Sequence, residues 1–127
     1  MKLQMTRYIV SSLKIKERNC KRDMNRAHFS LNVSNIRIND ESFNIIFKCA
    51  IKNSDIAINT EIRFIFCIKD GIVNDEFMKG NFININAPAI AFPYLRAYIT
   101  NISIQSGYNP IILPSINFVE FNKKKVE

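Results

Sequence analysis

The side chains that could do acid–base, nucleophilic or metal chemistry are few and scattered. His28 is the one histidine in 127 residues, so no histidine-built metal cluster can form. It stands just ahead of a strand-like run with no carboxylate or nucleophile at a useful spacing, which makes it a loop or edge residue and not a base. Cys20, Cys49 and Cys67 are odd in number and form no Cys-x-x-Cys pair; a disulfide framework or zinc site needs more. A reducing compartment fits that usage. Asp40-Glu41 and Asp75-Glu76 are adjacent acids in turn-like stretches, where such pairs are solvated. Gly71, Gly80 and Gly107 are too dispersed to cradle a phosphate. The expectation is a chain that is not an enzyme, with no catalytic residue, metal or cofactor.

What the chain has instead is apolar surface and uneven charge. Hydrophobic residues make up 47%, enough for one domain with a real core. No run approaches the ~18–20 apolar residues of a membrane span. The start, "MKLQMTRYIVSSLKIKERN", lacks a sustained apolar stretch and a small-residue cleavage site. No signal peptide and a cytoplasmic location are therefore expected. The formal charge of +7 is concentrated: residues 1–28 carry eight Lys/Arg against Glu17 and Asp23, whereas residues 29–127 are nearly balanced. A basic segment attracts nucleic acid, an acidic protein or lipid, or is simply a solvated face.

The elements that would position any site begin with β-strands. Phe43, Ile45, Phe47, Cys49 and Ile51 alternate with more polar neighbours, as do Ile58, Thr60, Ile62, Phe64, Phe66 and Ile68, so each set shares a strand face. Cys49 is then a small core residue. "KNSD" at 52–55 and "NDES" at 39–42 supply turn chemistry. Upstream, Phe29, Leu31 and Val33 keep one phase while Ile36 and Ile38 keep the other, which predicts a bulge near Ser34-Asn35. Residues 29–69 thus read as a three-strand antiparallel meander. Residues 7–17 give a weaker strand with Ile9, Leu13 and Ile15 on one face, joined to the meander by a polar loop over 18–27. A glycine-containing loop follows over 69–81, then "FINI" at 82–85 as a short edge segment.

A helix is expected over about 92–106, opened by Pro93 in its first turn and stopped by Gly107. Leu95, Tyr98, Ile99 and Ile102 form one stripe, with Tyr94, Ala97 and Ile104 on a neighbouring arc. Residues such as "YITNISI" have modest helix propensity, so packing must hold this helix. A stripe wider than one face calls for two partners: the sheet, and a second copy of the chain. Arg96 gains nothing from the helix dipole near an N-terminus and needs a carboxylate or carbonyl partner. In "YNPIILPSINF", Pro110 and Pro114 prevent a regular helix and discourage a central strand. The apolar residues of 108–118 must therefore lie extended over something apolar, ahead of a basic tail at 119–127.

This order of elements resembles the SecB family of protein-export chaperones. The resemblance rests on Phe92, Pro93, Tyr94 and Arg96 at the helix start, on Gly107, and on Leu113, Pro114, Ile116, Asn117 and Phe118 in the linker. It implies an α+β fold in which a four-stranded antiparallel sheet carries a long helix on one face, with an extended proline-containing linker and a second helix that here is short or missing. It implies a homotetramer built as a dimer of dimers around the long helices; Leu95, Tyr98, Ile99 and Ile102 are the interface candidates. It also implies an ATP-independent holdase that binds unfolded or pre-secretory polypeptide in hydrophobic grooves. Such a groove needs unspecific apolar area and can add strand-like hydrogen bonds. The candidates are Ile62, Phe64 and Phe66 on the strand, Phe92 and Tyr94 at the helix start, and Leu113, Ile116 and Phe118 on the linker.

The sequence departs from the family in two ways. Only "VEFNKKKVE" follows the linker, and the strand charges are mixed, with Glu61 beside Arg63, Lys48 and Lys52. The family's contact with the SecA motor uses acidic positions on the sheet and tail, so a SecA partnership is weakened and a solitary chaperone with one dedicated client, such as an antitoxin, becomes an alternative. Outside that class stand a nucleic-acid-binding module and a structural adaptor. Against nucleic acid, no strand interleaves Lys/Arg with aromatics as a stacking platform would.

Overall fold

A computed structural model describes residues 2–19 and 28–126. The expected loop over 18–27, from residue 20 onward, and Cys20 lie outside the described residues. Four strands come first: β1 (Lys2–Glu17), β2 (His28–Arg37), β3 (Ser42–Lys52) and β4 (Ile56–Lys69). They form one antiparallel sheet in the order β1-β4-β3-β2. The meander is present, and the fourth strand closes it by pairing with β4, which leaves β1 and β2 as the two edges. Both hairpin turns are made by asparagine. Asn39 Oδ1 accepts from the Glu41 N–H and the Ser42 hydroxyl, each at 2.8 Å. Asn53 Oδ1 accepts from the N–H groups of Asp55 at 2.8 Å and Ile56 at 3.0 Å.

Register sorts the side chains onto two faces. On one, Phe43, Ile45 and Phe47 of β3 meet Phe66, Phe64 and Ile62 of β4, and all six are fully buried. Cys49 and Ile51 continue that face toward Thr60 and Ile58. Ring pairs at centroid distances of 5.4 Å for Phe43–Phe66 and 5.2 Å for Phe47–Phe64 tie β3 to β4 across this face. Each such ring contributes ~1.5–3 kcal/mol through burial. Burial also pushes the Cys49 thiol up to about 12, so at neutral pH it is an inert apolar filler.

The edge strands depart from expectation in opposite senses. β1 shifts register twice, between Met5 and Arg7 and between Val10 and Ser12. Each shift is fastened by a threonine hydroxyl: Thr6 Oγ1 donates to the Ile65 carbonyl at 3.1 Å, and Thr60 Oγ1 to the Ser12 carbonyl at 2.8 Å. The shifts carry Leu3, Met5, Tyr8, Val10, Leu13 and Ile15 to the core face and put Ile9 opposite Arg63 on the other. The expected grouping of Ile9 with Leu13 and Ile15 is thereby corrected. In β2 the register runs unbroken from His28 to Arg37, so there is no bulge at Ser34-Asn35. Ile36 and Ile38 instead stay 54% and 48% exposed.

After the sheet the chain turns helical earlier than expected. Asn74 caps α1 (Asp75–Met78), its Oδ1 accepting from the Phe77 N–H at 2.8 Å. "FINI" is a π-helical turn over Phe82–Asn86 that runs into α2 (Ala87–Gln105), and not an edge segment. Pro88 therefore occupies the first turn and Pro93 lies inside the helix. Pro93 and Ala89 are both exposed, which lets water serve the carbonyl that Pro93 leaves without a donor. The end of α2 is as expected. Gly107 has φ +92°, and the N–H groups of Gly107 and Tyr108 bond the carbonyls of Ile104 and Ser103, each at 3.0 Å, a Schellman stop. Beyond the linker, α3 (Phe118–Val126) spans nine residues and begins at Asn117, whose Oδ1 accepts from the Val119 N–H at 3.0 Å. The second helix is present and short.

A Cβ built on Gly107 meets nothing within 4 Å. Replacement there costs only backbone strain, on the order of 1–2 kcal/mol for an L-residue held left-handed. Gly107→Ala is expected to lower the urea unfolding free energy by about that amount, and Gly107→Asn by less, because Asn tolerates this region.

Candidate functional site

Residues 108–117 have neither a helix nor a strand partner, yet Ile111 and Leu113 are buried. Their backbone groups must be satisfied some other way. α2 does it with three side chains on one row of its surface, at spacings of four and three. Arg96 Nε donates to the Leu113 carbonyl at 3.0 Å, and Thr100 Oγ1 to the Ile111 carbonyl at 2.7 Å. Ser103 Oγ accepts from the Ile111 N–H at 3.1 Å and donates to the Thr100 carbonyl at 2.8 Å. Of the carboxylate or carbonyl expected to partner Arg96, the structure supplies the Leu113 carbonyl.

This row holds the linker as a strand would, with alternate residues in and out. Ile111 and Leu113 enter the core, while Ile112 between them is 67% exposed. Between α2 and the linker lies an open groove of about 670 Å³. Phe92, Ile116 and Phe118 give it an apolar base, Ile112 stands on its rim, and Arg96, Thr100 and Asn101 supply polar edges. Phe92 and Phe118 meet edge to face at 5.7 Å, and the Phe118 ring stacks on Phe47 at 6.3 Å. The base of the groove therefore rests directly on the core. Among the described residues no carboxylate lines it. It can bury apolar side chains of an extended segment and offer hydrogen bonds at its edges; it has no acid–base pair.

Of the expected groove residues, the structure brings Phe92, Ile116 and Phe118 together. Ile62, Phe64 and Phe66 are fully buried beneath the helices, and Leu113 is fully buried too, which corrects their assignment to an open wall: their period-two face is the core itself. Tyr94 is exposed, but on the far side of α2, with its ring 5.9 Å from that of Tyr8. The expected interface stripe is also turned inward. Leu95 and Ile99 are fully buried against the sheet, and Tyr98 and Ile102 are half-buried beside them. Burial first, then the nearby Tyr8 phenol, raise the pKa of the Tyr98 phenol. The outer arc of α2 is Ile90, Tyr94 and Ile104, all exposed, beside the partly exposed Tyr8 and Leu13 of β1. Ile112 was missed, as was the clamp; Thr100 and Ser103 at four and seven residues past Arg96 were its available signal.

Geometry and ancestry agree. The family model described as "Preprotein translocase subunit SecB" matches residues 11–127, and the chain belongs to the SecB family. It is 26% identical over 99 residues to the protein-export protein SecB of Magnetococcus marinus, covering 73% of this chain and 61% of that one. It is 27% identical over 96 residues to the SecB of Saccharophagus degradans, covering 69% of this chain and 54% of that one. The chain thus spans less than two thirds of the curated relatives it matches. Among solved structures, its fold is similar to a SecB-like chaperone of Mycobacterium tuberculosis in complex with an antitoxin peptide, with a TM-score of 0.71, 12% identity and 90% of each chain covered. A protein of unknown function from Streptococcus agalactiae has the same fold, with a TM-score of 0.64, 12% identity, and 91% of this chain and 98% of that one covered.

Ser103→Ala would leave the buried Ile111 N–H without a partner. A loss of about 1–3 kcal/mol is expected, read as a lower denaturation midpoint with the slope unchanged. Thr100→Val leaves the Ile111 carbonyl short of a donor, a milder fault, and is expected to cost less.

Proposed function

We propose that this chain is an ATP-independent holdase that keeps unfolded polypeptide on the groove between α2 and residues 108–117. The observation that carries this is an open, apolar-based groove whose rim residue Ile112 is left 67% exposed. An exposed apolar residue beside an apolar-based hollow gives a client's side chains area to bury against. Relatives named for protein export support pre-secretory clients in the cytoplasm. The complex of a similar fold with an antitoxin peptide supports a second reading, in which one dedicated client fills the same groove.

The family's dimer of dimers is part of the proposal, with its contact moved to the outer arc of α2 and the β1 edge: Ile90, Tyr94, Ile104 and Tyr8. The buried stripe of Leu95 and Ile99 serves the sheet. SecA remains a proposed partner only for a protein acting in export.

The test follows aggregation of several unrelated, chemically unfolded proteins by light scattering, without ATP, at about 50 mM and about 500 mM salt. Suppression near stoichiometric amounts at both salts is expected, because apolar contact is not screened. Ile112→Asp, at a position too exposed to threaten folding, is expected to weaken suppression several-fold. Suppression for a single protein only would select the dedicated-client reading. Full suppression by both Ile112→Asp and Ala97→Asp would show that the groove is not the site.

A further inference from the structure

The helices cover one face of the sheet, and the opposite face has its own chemistry. Register places Lys2, Arg7, Lys14 and Lys16 of β1 on that open face, together with Lys48 and Lys52 of β3 and Arg63 and Lys69 of β4. Among the described strand residues the one acid there is Glu61, and Lys48 already meets it at 3.7 Å. The other acids among the described residues are in turns and helices or at strand ends. The basicity of β1 is thus continued by β3 and β4 into a single surface.

Two further features restrict what would lie on it. Ile9, Ile46, Ile65 and Cys67 sit among the cations, each only half-buried. Beside them, Arg63 Nε and Asn44 Oδ1 are buried without a hydrogen-bond partner. Toward the other end of the strands the face is concave. A hollow of about 760 Å³ is edged by Ser12, Lys14, Ser30, Asn32, Lys48, Asn59 and Glu61, the last being the carboxylate that Lys48 meets. It adjoins another of about 400 Å³ bordered by His28 and Lys52.

We propose that this open face docks an acidic, partly apolar segment of another polypeptide, at a site separate from the groove. The cations supply charge complementarity, and the serine and asparagine side chains supply donors for carboxylates and peptide carbonyls. The isoleucines reward apolar side chains between the acids. A nucleic acid would gain nothing from the isoleucines, and the aromatic residues of the strands pair in register on the core face, away from this one. A second copy of the chain is disfavoured, because it would present the same positive face.

The test uses fluorescein-labelled peptides of about sixteen residues, matched to a strand's side-chain period of two, with Glu alternating with Leu or Lys alternating with Leu, and a single-stranded oligonucleotide of equal charge. Anisotropy at low salt is expected to show binding of the Glu peptide only, weakened about tenfold or more at about 500 mM salt. Lys14→Glu/Lys52→Glu, both at exposed positions, is expected to weaken that binding about tenfold or more while leaving the suppression of client aggregation unchanged. Ile112→Asp is expected to do the reverse. Equal binding of the Glu and Lys peptides, failure of the Glu peptide to bind, or tighter binding of the oligonucleotide would each overturn the proposal. So would Glu-peptide binding that Ile112→Asp abolishes and the lysine reversals leave intact.

Discussion

The structure turns on how a proline-broken segment can be buried. Pro110 and Pro114 deny residues 108–117 the two ordinary ways of satisfying backbone polar groups, and burial of Ile111 and Leu113 makes unsatisfied groups expensive. Arg96, Thr100 and Ser103 meet that demand from one row of α2. Much else follows from the row. It fixes the rotation of α2 on the sheet, so that Leu95 and Ile99 face inward. It also fixes which linker residues go down and which, Ile112 above all, stand out. The groove runs along the line where the helix and the extended chain are held side by side.

A four-stranded sheet with helices on one side has a second face that must live with water. This chain manages it by sign. Half-buried isoleucines share this face with exposed lysines, residues whose long stems cover apolar surface while their heads stay in water. Their mutual repulsion disfavours face-to-face association of copies, the usual hazard of an open sheet. The two register shifts in β1 are what make this division work. Without them, Ile9 would fall on the core side, and the basic and apolar residues of that strand would be mixed on both faces.

What could be read from the residues follows from how local the determining physics is. β3 and β4 are central strands with one face wholly buried, so period two survives undisturbed in their sequences, and the asparagine turns and the Gly107 stop are set within a few residues. The bulges of β1 were hidden because they depend on Thr60 and Ile65, some fifty residues away. Pro93 misled because a proline inside a helix is rare, and only its exposed placement makes it tolerable. The same clean alternation that revealed Ile62, Phe64 and Phe66 as a face invited their assignment to a groove. Whether an apolar face is covered is decided by α2 and α3, and no strand pattern contains that. In the groove itself, the motif residues Phe92, Ile116 and Phe118 were legible, whereas Ile112 differs from its neighbours only in direction, which the clamp determines.

The groove and the basic face lie on opposite sides of the same strands, and β3 shows how closely they approach. The Phe47 ring supports Phe118 and Phe92 from below, and the next residue, Lys48, belongs to the open face. Energetic coupling between ligands on the two sides would require β3 to have a second arrangement that each ligand favours differently. β3 is hydrogen-bonded to β2 along one edge and to β4 along the other, and Phe43, Ile45 and Phe47 are fully buried and packed ring against ring or against aliphatic chains. A one-residue slip would exchange those side chains for Asn44, Ile46 and Lys48. The cost of such an exchange holds the strand in one register, so the sheet carries its two surfaces on one rigid body and a ligand on either would bind without regard to the other.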